Sequence, residues 1–247
     1  MIHYHGADIY PYPALIETVS AGHALLTWNH IDKPQIKTAI DVCQSFMVDN
    51  GAFSAWMHQK PITDWYEYYR WVYDCSRIPS FDFAVIPDVI DGDEIQNDKL
   101  VNEWPHSEWL GAPVWHLHES MDRLDRLAHE WPRICLGSSG DYSIPGTALW
   151  WNRINNAMRV ICDNDGVPCC KIHGLRMLNP EIFIHIPLSS ADSSNVARNI
   201  KNDTRWNGVY APQSKESRAY LIRKRIESQN APIVASINPV QRGFCLV

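Results

Sequence analysis

The stretch Phe81–Asp88 reads Phe-Asp-Phe-Ala-Val-Ile-Pro-Asp, a short run of aromatic and aliphatic residues that ends in a proline and a carboxylate. Such runs are typical of buried strands in a parallel sheet. The same arrangement, an apolar run followed by a polar side chain, recurs at Phe46–Asp49 and at Pro113–His118. The recurrence predicts that several strands each end in a polar side chain where the following loop begins.

Eight candidate strands can be placed along the chain. They are Ile2–His5, Ala24–Trp28, Ser45–Val48, Phe81–Ile86, Pro113–Leu117, Arg133–Leu136, Cys170–His173 and Phe183–Pro187. Helical patterns lie between several of them, at Met121–Glu130, at Thr147–Cys162 and after Thr63, which can cap a helix. Strands separated by helices predict an α/β fold with a parallel sheet, either a (β/α)8 TIM-like barrel or a doubly wound sheet.

The composition suits one globular domain over residues 1–247, with 45% hydrophobic residues. Eleven tryptophans and ten tyrosines can fill a core or stack on bases and sugars. The net charge of −6 argues against a nucleic-acid partner unless a local patch overrides it. Seven cysteines without a Cys-x-x-Cys pair, no signal peptide and no long apolar stretch together predict a cytoplasmic chain with no membrane partner.

Polar residues at the predicted strand ends form one constellation. They are Asp49, Asp88, His116, His118, the turn Gly137-Ser138-Ser139-Gly140, His173-Gly174 and Asp192. Three aspartates at one barrel mouth suit glycosidic chemistry, because one carboxylate can attack an anomeric carbon and a second can shuttle a proton. A third can accept hydrogen bonds from the amidine edge of guanine, and Phe53 can stack on the base.

The order of these motifs resembles the tRNA-guanine transglycosylase superfamily, most closely its DNA-modifying branch from phages and bacterial gene clusters. The similarity covers roughly residues 45–200 and runs through Val48–Phe53, Phe83–Asp88, Leu136–Gly140, Lys171–Leu175 and Ser190–Ser193. It favours the barrel over the doubly wound sheet. It implies that Asp192 is the covalent nucleophile and Asp49 the general acid/base.

The resemblance also implies a base pocket. Its expected members are Asp88, Phe53, Asn50, His116, His118, Gly137, Ser138, His173 and Gly174. The implied reaction replaces guanine in a nucleic acid by a free 7-deazaguanine base, with no metal and no cofactor.

The chain departs from the superfamily in three ways. His116 or His118 stands where a glutamine is common on the fifth strand. Only Cys245 follows Asp192, so the zinc site of three cysteines and a histidine, and the subdomain it supports, are expected to be missing. An added RNA-binding domain is likewise not expected. The last two departures favour DNA over tRNA as the partner.

Two basic groups are candidates for phosphate contacts. Arg198, Lys201 and Arg205 follow the nucleophile, and Arg223, Lys224 and Arg225 lie on a helix predicted at about residues 214–228, packed on the barrel. A solvated helix face is the alternative for the second group.

Other interpretations of the constellation stay open. Asp49 can be a turn residue, Asp88 and Asp192 can cap helices, and His173 can be a buried histidine without a catalytic part. A metal-dependent hydrolase of the amidohydrolase type is the rival enzyme class. Its ligands would be His3, His5, one of His116, His118 and His173, and Asp192. A tRNA-acting transglycosylase and a non-catalytic binding module are further alternatives.

Overall fold

The computed structural model describes residues 1–30, 33–201 and 212–235. The strands are β1 (Ile2–Gly6), β2 (His23–Thr27), β3 (Ser45–Asp49), β4 (Phe81–Val85), β5 (Gly111–Ala112), β6 (Val114–His116), β7 (Arg133–Gly137), β8 (Lys171–Gly174) and β9 (Ser190–Ser193). The helices are α1 (Tyr12–Val19), α2 (Pro34–Val42), α3 (Ala52–Met57), α4 (Tyr66–Ser76), α5 (Glu94–Asn102), α6 (Met121–Glu130), α7 (Ala148–Ile161), α8 (Pro180–Phe183), α9 (Asn195–Asn199) and α10 (Lys215–Glu227).

All paired strands are parallel, in the order β5-β4-β3-β2-β1-β9-β8-β7-β6. Only Pro113 separates β5, which pairs with β4, from β6, which pairs with β7. Because proline has no N–H to donate, it interrupts the ladder, and β5 and β6 act as one strand. The chain therefore forms a nearly closed barrel of eight strand positions, which confirms the predicted (β/α)8 TIM-like fold.

The eighth predicted strand, Phe183–Pro187, is wrong. Asn179 caps a short helix, α8, that begins at Pro180, and Phe183 and Ile186 of the predicted strand pack into the core from this helix and the turn after it. Asparagine followed by proline is a strong helix start. The strand is formed instead by Ser190–Ser193, whose small polar residues carry no strand pattern.

The barrel interior holds an apolar cluster. Its buried members are Tyr4, Leu25, Met47, Phe83, Val85, Ala112, Val114 and Cys135. Since successive side chains of a strand alternate between its faces, Tyr4 points inward while His3 and His5 point outward. His5 Nε2 lies 3.2 Å from Glu227 Oε1 of α10, and His3 Nε2 lies 3.1 Å from the carbonyl oxygen of Gln229.

A buried ion pair fixes the carboxyl end of β6. Arg123 Nη1 donates to Glu119 Oε2 at 2.6 Å and to the Val114 carbonyl at 2.9 Å. Glu119 also accepts from the backbone N–H of His116 at 2.8 Å and from the side chain of Asn97 at 2.8 Å. The pair thereby holds His116 at the barrel mouth.

We expect Arg123→Ala to lower the free energy of unfolding by about 3–5 kcal/mol, because it strands the Glu119 carboxylate in the interior. The matched control is Arg126→Ala, because Arg126, like Arg123, forms an ion pair with Asp98. The Arg126 side chain is 41% exposed against 1% for Arg123, so its loss is expected to cost less than about 1 kcal/mol. Urea titration measures both, and equal losses would contradict the assignment.

Candidate active site

A cavity of about 480 Å³ opens at the carboxyl ends of the strands. The residues expected at the site that line it are Asp49, Asn50, Phe53, Asp88, His116, Gly137, Ser138, Asp192, Arg198 and Lys201. The convergence follows from topology, because parallel strands of a barrel end at the same face.

Asp192 lies in β9 and is held from one side. Its Oδ1 accepts from His173 Nε2 at 3.1 Å and from the backbone N–H of Arg176 at 3.0 Å. Among the described residues, no hydrogen bond falls on Oδ2. Because α9 begins only at Asn195, Asp192 is not the cap of that helix.

His173 is fully buried and does not line the cavity. Its Nδ1 lies 2.8 Å from Ser190 Oγ, and its ring packs edge-on against Phe83. Burial lowers the pKa of His173, although the Asp192 carboxylate opposes that shift. The neutral ring then carries its proton on Nε2, where Asp192 accepts it. His173 is thus a buried histidine with satisfied hydrogen bonds that orients Asp192, and neither it nor Gly174 reaches the cavity.

Asp49 ends β3 at the cavity and is half-buried. Burial, followed by the charges of Asp192 and Asp88, raises the pKa of Asp49 to about 7. Its Oδ2 also accepts the backbone N–H of Gly51 at 3.2 Å, so the turn interpretation is part of its role. A carboxyl group that titrates near neutrality is suited to proton transfer in both directions.

Asp88 and His116 form a buried polar pair beside Asp49. Asp88 Oδ1 accepts from Asn50 Nδ2 at 2.8 Å. His116 Nε2 lies 2.9 Å from Asp88 Oδ2, but without the geometry of a hydrogen bond. Within the described part of the chain, Asp88 Oδ2 and both ring nitrogens of His116 have no hydrogen-bond partner. Since Asp93 caps the following helix, α5, Asp88 is not a helix cap.

His116, and not His118, faces the cavity. His118 is exposed, and its ring nitrogens lie 2.7 Å from Ser139 Oγ and 2.9 Å from the Gly92 carbonyl oxygen. The two rings stack at 5.6 Å between centroids. A Cβ at Gly137 would lie 3.0 Å from His116 Nδ1, so glycine at this position leaves room for the His116 ring.

The two basic groups lie at different ends of the barrel. Arg198 and Lys201 are exposed and line the cavity, whereas Arg205 lies outside the described residues. Arg223 donates to the carbonyls of Glu17 and Ser20 at 3.1 and 2.9 Å, just before β2 begins.

That contact places this part of α10 near the amino ends of the strands, away from the mouth. Arg223 therefore joins α10 to α1, and Lys224 and Arg225 are exposed beside it. The structure does not bring these three residues to the site.

Arg176 lies at the site and was not predicted from the sequence. It lines the cavity, and its guanidinium carbon lies 3.7 Å from the centroid of the Phe53 ring. Its backbone φ is 58°, in the left-handed region. The available signal was its place two residues after Gly174, where the loop after β8 begins.

The amidohydrolase arrangement is not assembled. His3 and His5 contact α10 and its following residues instead of pointing to Asp192. Across residues 1–30, 33–201 and 212–235, no group of three or more histidine, cysteine, aspartate or glutamate side chains has the spacing to hold a metal ion.

The same residues include no helix with the length and apolar character needed to cross a bilayer.

Comparison with protein families, with curated proteins and with solved structures found no match to this chain. The fold and the site define a TIM-like barrel with a carboxylate-rich mouth.

Proposed function

We propose that this chain is a base-exchange transglycosylase that replaces guanine in DNA by a 7-deazaguanine. The observation that carries the proposal is the placement of three carboxylates in three different environments around one cavity. The Asp192 carboxylate is held through Oδ1 alone, Asp49 has a pKa raised to about 7, and Asp88 is buried beside His116 with its Oδ2 making no hydrogen bond to the described residues. These environments match a nucleophile, a proton shuttle and a base receptor.

In the first half-reaction, Asp192 Oδ2 attacks C1′ of a nucleotide flipped out of its stack. The bond from C1′ to guanine N9 breaks, and its electron pair leaves with the base. The protonated Asp49 carboxyl gives its proton to the leaving base, so that neutral guanine departs. The sugar remains bound to Asp192 as an ester.

In the second half-reaction, the 7-deazaguanine N9–H gives its proton to the Asp49 carboxylate. N9 then attacks C1′ and releases the Asp192 carboxylate. Charge and protons balance over the cycle, since Asp49 ends in the protonation state in which it began. A pKa near 7 gives Asp49 access to both states at neutral pH.

Base recognition is assigned to Asp88, His116 and Phe53. The Asp88 carboxylate can accept hydrogen bonds from the N1–H and the 2-amino group of guanine, which are adjacent donors. The same edge is present in 7-deazaguanines, so both the leaving and the entering base fit the receptor. The ring of Phe53 offers an aromatic face to stack on.

Asp88→Ala is expected to weaken binding of free guanine by about 1.5–3 kcal/mol, the worth of a hydrogen bond to a charged group. The control is Asp91→Ala, which removes an exposed carboxylate three residues away. Isothermal titration calorimetry measures both affinities, with thermal melting as the check on folding. An unchanged affinity in Asp88→Ala would remove Asp88 from base recognition.

The polymer contact is assigned to Arg198 and Lys201 at the mouth. Neutralising both is expected to reduce the slope of log affinity against log salt by about two, because each phosphate contact releases a counterion. Lys224→Ala/Arg225→Ala removes the same charge from the far end of α10 and should leave the slope unchanged. Equal slopes in both double variants would place the DNA elsewhere.

Incorporation of labelled guanine into duplex DNA, single-stranded DNA and tRNA, compared at one salt concentration, tests the proposed substrate. We expect label in DNA. Label in tRNA and in neither DNA form would favour the tRNA-acting alternative, and label in no polymer would contradict base exchange.

A further inference from the structure

The Arg176 side chain lies where the proposed function requires a base. Its guanidinium carbon lies 3.7 Å over the Phe53 ring, which is a stacking distance. Its Nη2 donates to the carbonyl oxygen of Ser138 at 3.1 Å. The Arg176 side chain thus covers the face of the Phe53 ring and donates a hydrogen bond to a carbonyl oxygen in the turn after β7. These are the two features expected to contact a bound base.

The guanidinium group has the chemistry of one edge of guanine. Both are planar and carry N–H donors on nitrogens that share a single carbon atom. In guanine these donors are N1–H and the 2-amino group, and 7-deazaguanines keep both. Arg176 therefore makes the stacking contact and the type of hydrogen bond that a guanine would make.

The backbone of Arg176 is fixed while its side chain is exposed. The φ of 58° is a backbone conformation that residues other than Gly, Asn and Asp rarely adopt. The backbone N–H is held by Asp192 Oδ1 at 3.0 Å. The guanidinium can leave Phe53 without breaking this backbone contact, so displacement of the side chain does not disturb Asp192.

We infer that Arg176 is a placeholder in the base pocket, a guanine mimic that the entering base displaces from Phe53. The inference rests on the proposed function. The displaced cation remains at the mouth with Arg198 and Lys201, which line the same cavity. There it pairs with a phosphate of the polynucleotide. Arg176 therefore opposes binding of the free base and favours binding of the polymer.

Calorimetry with free guanine and salt-controlled binding of guanine-containing DNA test this inference. Arg176→Ala is expected to bind free guanine about 3- to 30-fold more tightly, the range of a cation–π contact, and to bind DNA several-fold more weakly. Arg176→Lys should restore most of the DNA affinity because it restores the charge. Arg198→Ala is the control: it should weaken DNA binding and leave the affinity for guanine unchanged.

The outcomes separate the two proposals. If the wild-type protein binds guanine and Arg176→Ala binds it equally or more weakly, Arg176 is not a placeholder, and the proposed function is untouched. If the wild-type protein binds neither guanine nor a 7-deazaguanine, the proposed function fails and the placeholder fails with it. Tighter binding of guanine together with weaker binding of DNA supports both.

Discussion

Asp192→Asn is expected to reduce base exchange by at least about 10⁴-fold, since an amide cannot serve as the carboxylate nucleophile. The structure predicts that the variant folds. Both hydrogen bonds that the Asp192 carboxylate accepts from the described residues, from His173 Nε2 and from the Arg176 N–H, fall on Oδ1. An asparagine keeps an oxygen acceptor at that position and changes only the oxygen assigned to attack.

Trapping of the covalent intermediate is the measurement. Wild-type protein incubated with a guanine-containing oligonucleotide should give an adduct that survives denaturation, and Asp192→Asn should give none. Asp141→Asn, which changes an exposed carboxylate in the turn after β7, is the control and should form the adduct normally. An adduct that persists in Asp192→Asn would assign the nucleophile to another residue.

Asp49→Asn is expected to reduce exchange by about 10²- to 10⁴-fold, the usual contribution of a general acid/base. The pH dependence of the rate distinguishes this loss of activity from the loss caused by Asp192→Asn. Because the pKa of Asp49 is about 7, the rate of base departure in the wild-type protein should fall as pH rises above 7. The Asp49→Asn variant should lose that dependence, as measured by release of labelled guanine across pH 5–9.

The same substitution should stabilise the fold in alkaline solution. A carboxyl whose folded pKa is raised favours folding when it is protonated, and this stability is lost as pH rises from the unfolded pKa through the folded one. Between 3.8 and about 7, the loss amounts to at most about 4 kcal/mol. Asp49→Asn should therefore melt above the wild-type protein at pH 8 and together with it at pH 4. A constant difference across pH would show that Asp49 is not the titrating group.

The convergence of Asp49, Asp88 and Asp192 could be predicted because strand patterns locate strand ends, and strand ends of a parallel barrel share one face. The prediction held at Asp192 even though its strand was misplaced. Ser190–Ser193 has no apolar pattern, and its strand depends on pairing with β1 and β8. Pairing between distant segments leaves no local signal.

Side-chain orientation was less accessible to sequence reasoning. His173 was expected to contact the base, but register sets it opposite Ser190 inside the barrel, where it contacts Asp192. Arg223 belongs to a basic stripe that suggested phosphate binding. The direction in which α10 runs along the barrel decides that it bonds α1 instead. The position of the Arg176 side chain in the cavity depends on a left-handed backbone conformation, which an arginine does not suggest.

Base exchange in DNA is measured by nucleoside mass spectrometry of DNA from cells that express this chain and receive a 7-deazaguanine. We expect 7-deazaguanine deoxynucleosides in DNA with the wild-type chain, and none with Asp192→Asn at equal expression. Unmodified DNA in both, with the protein folded and the base present in the cells, would contradict it.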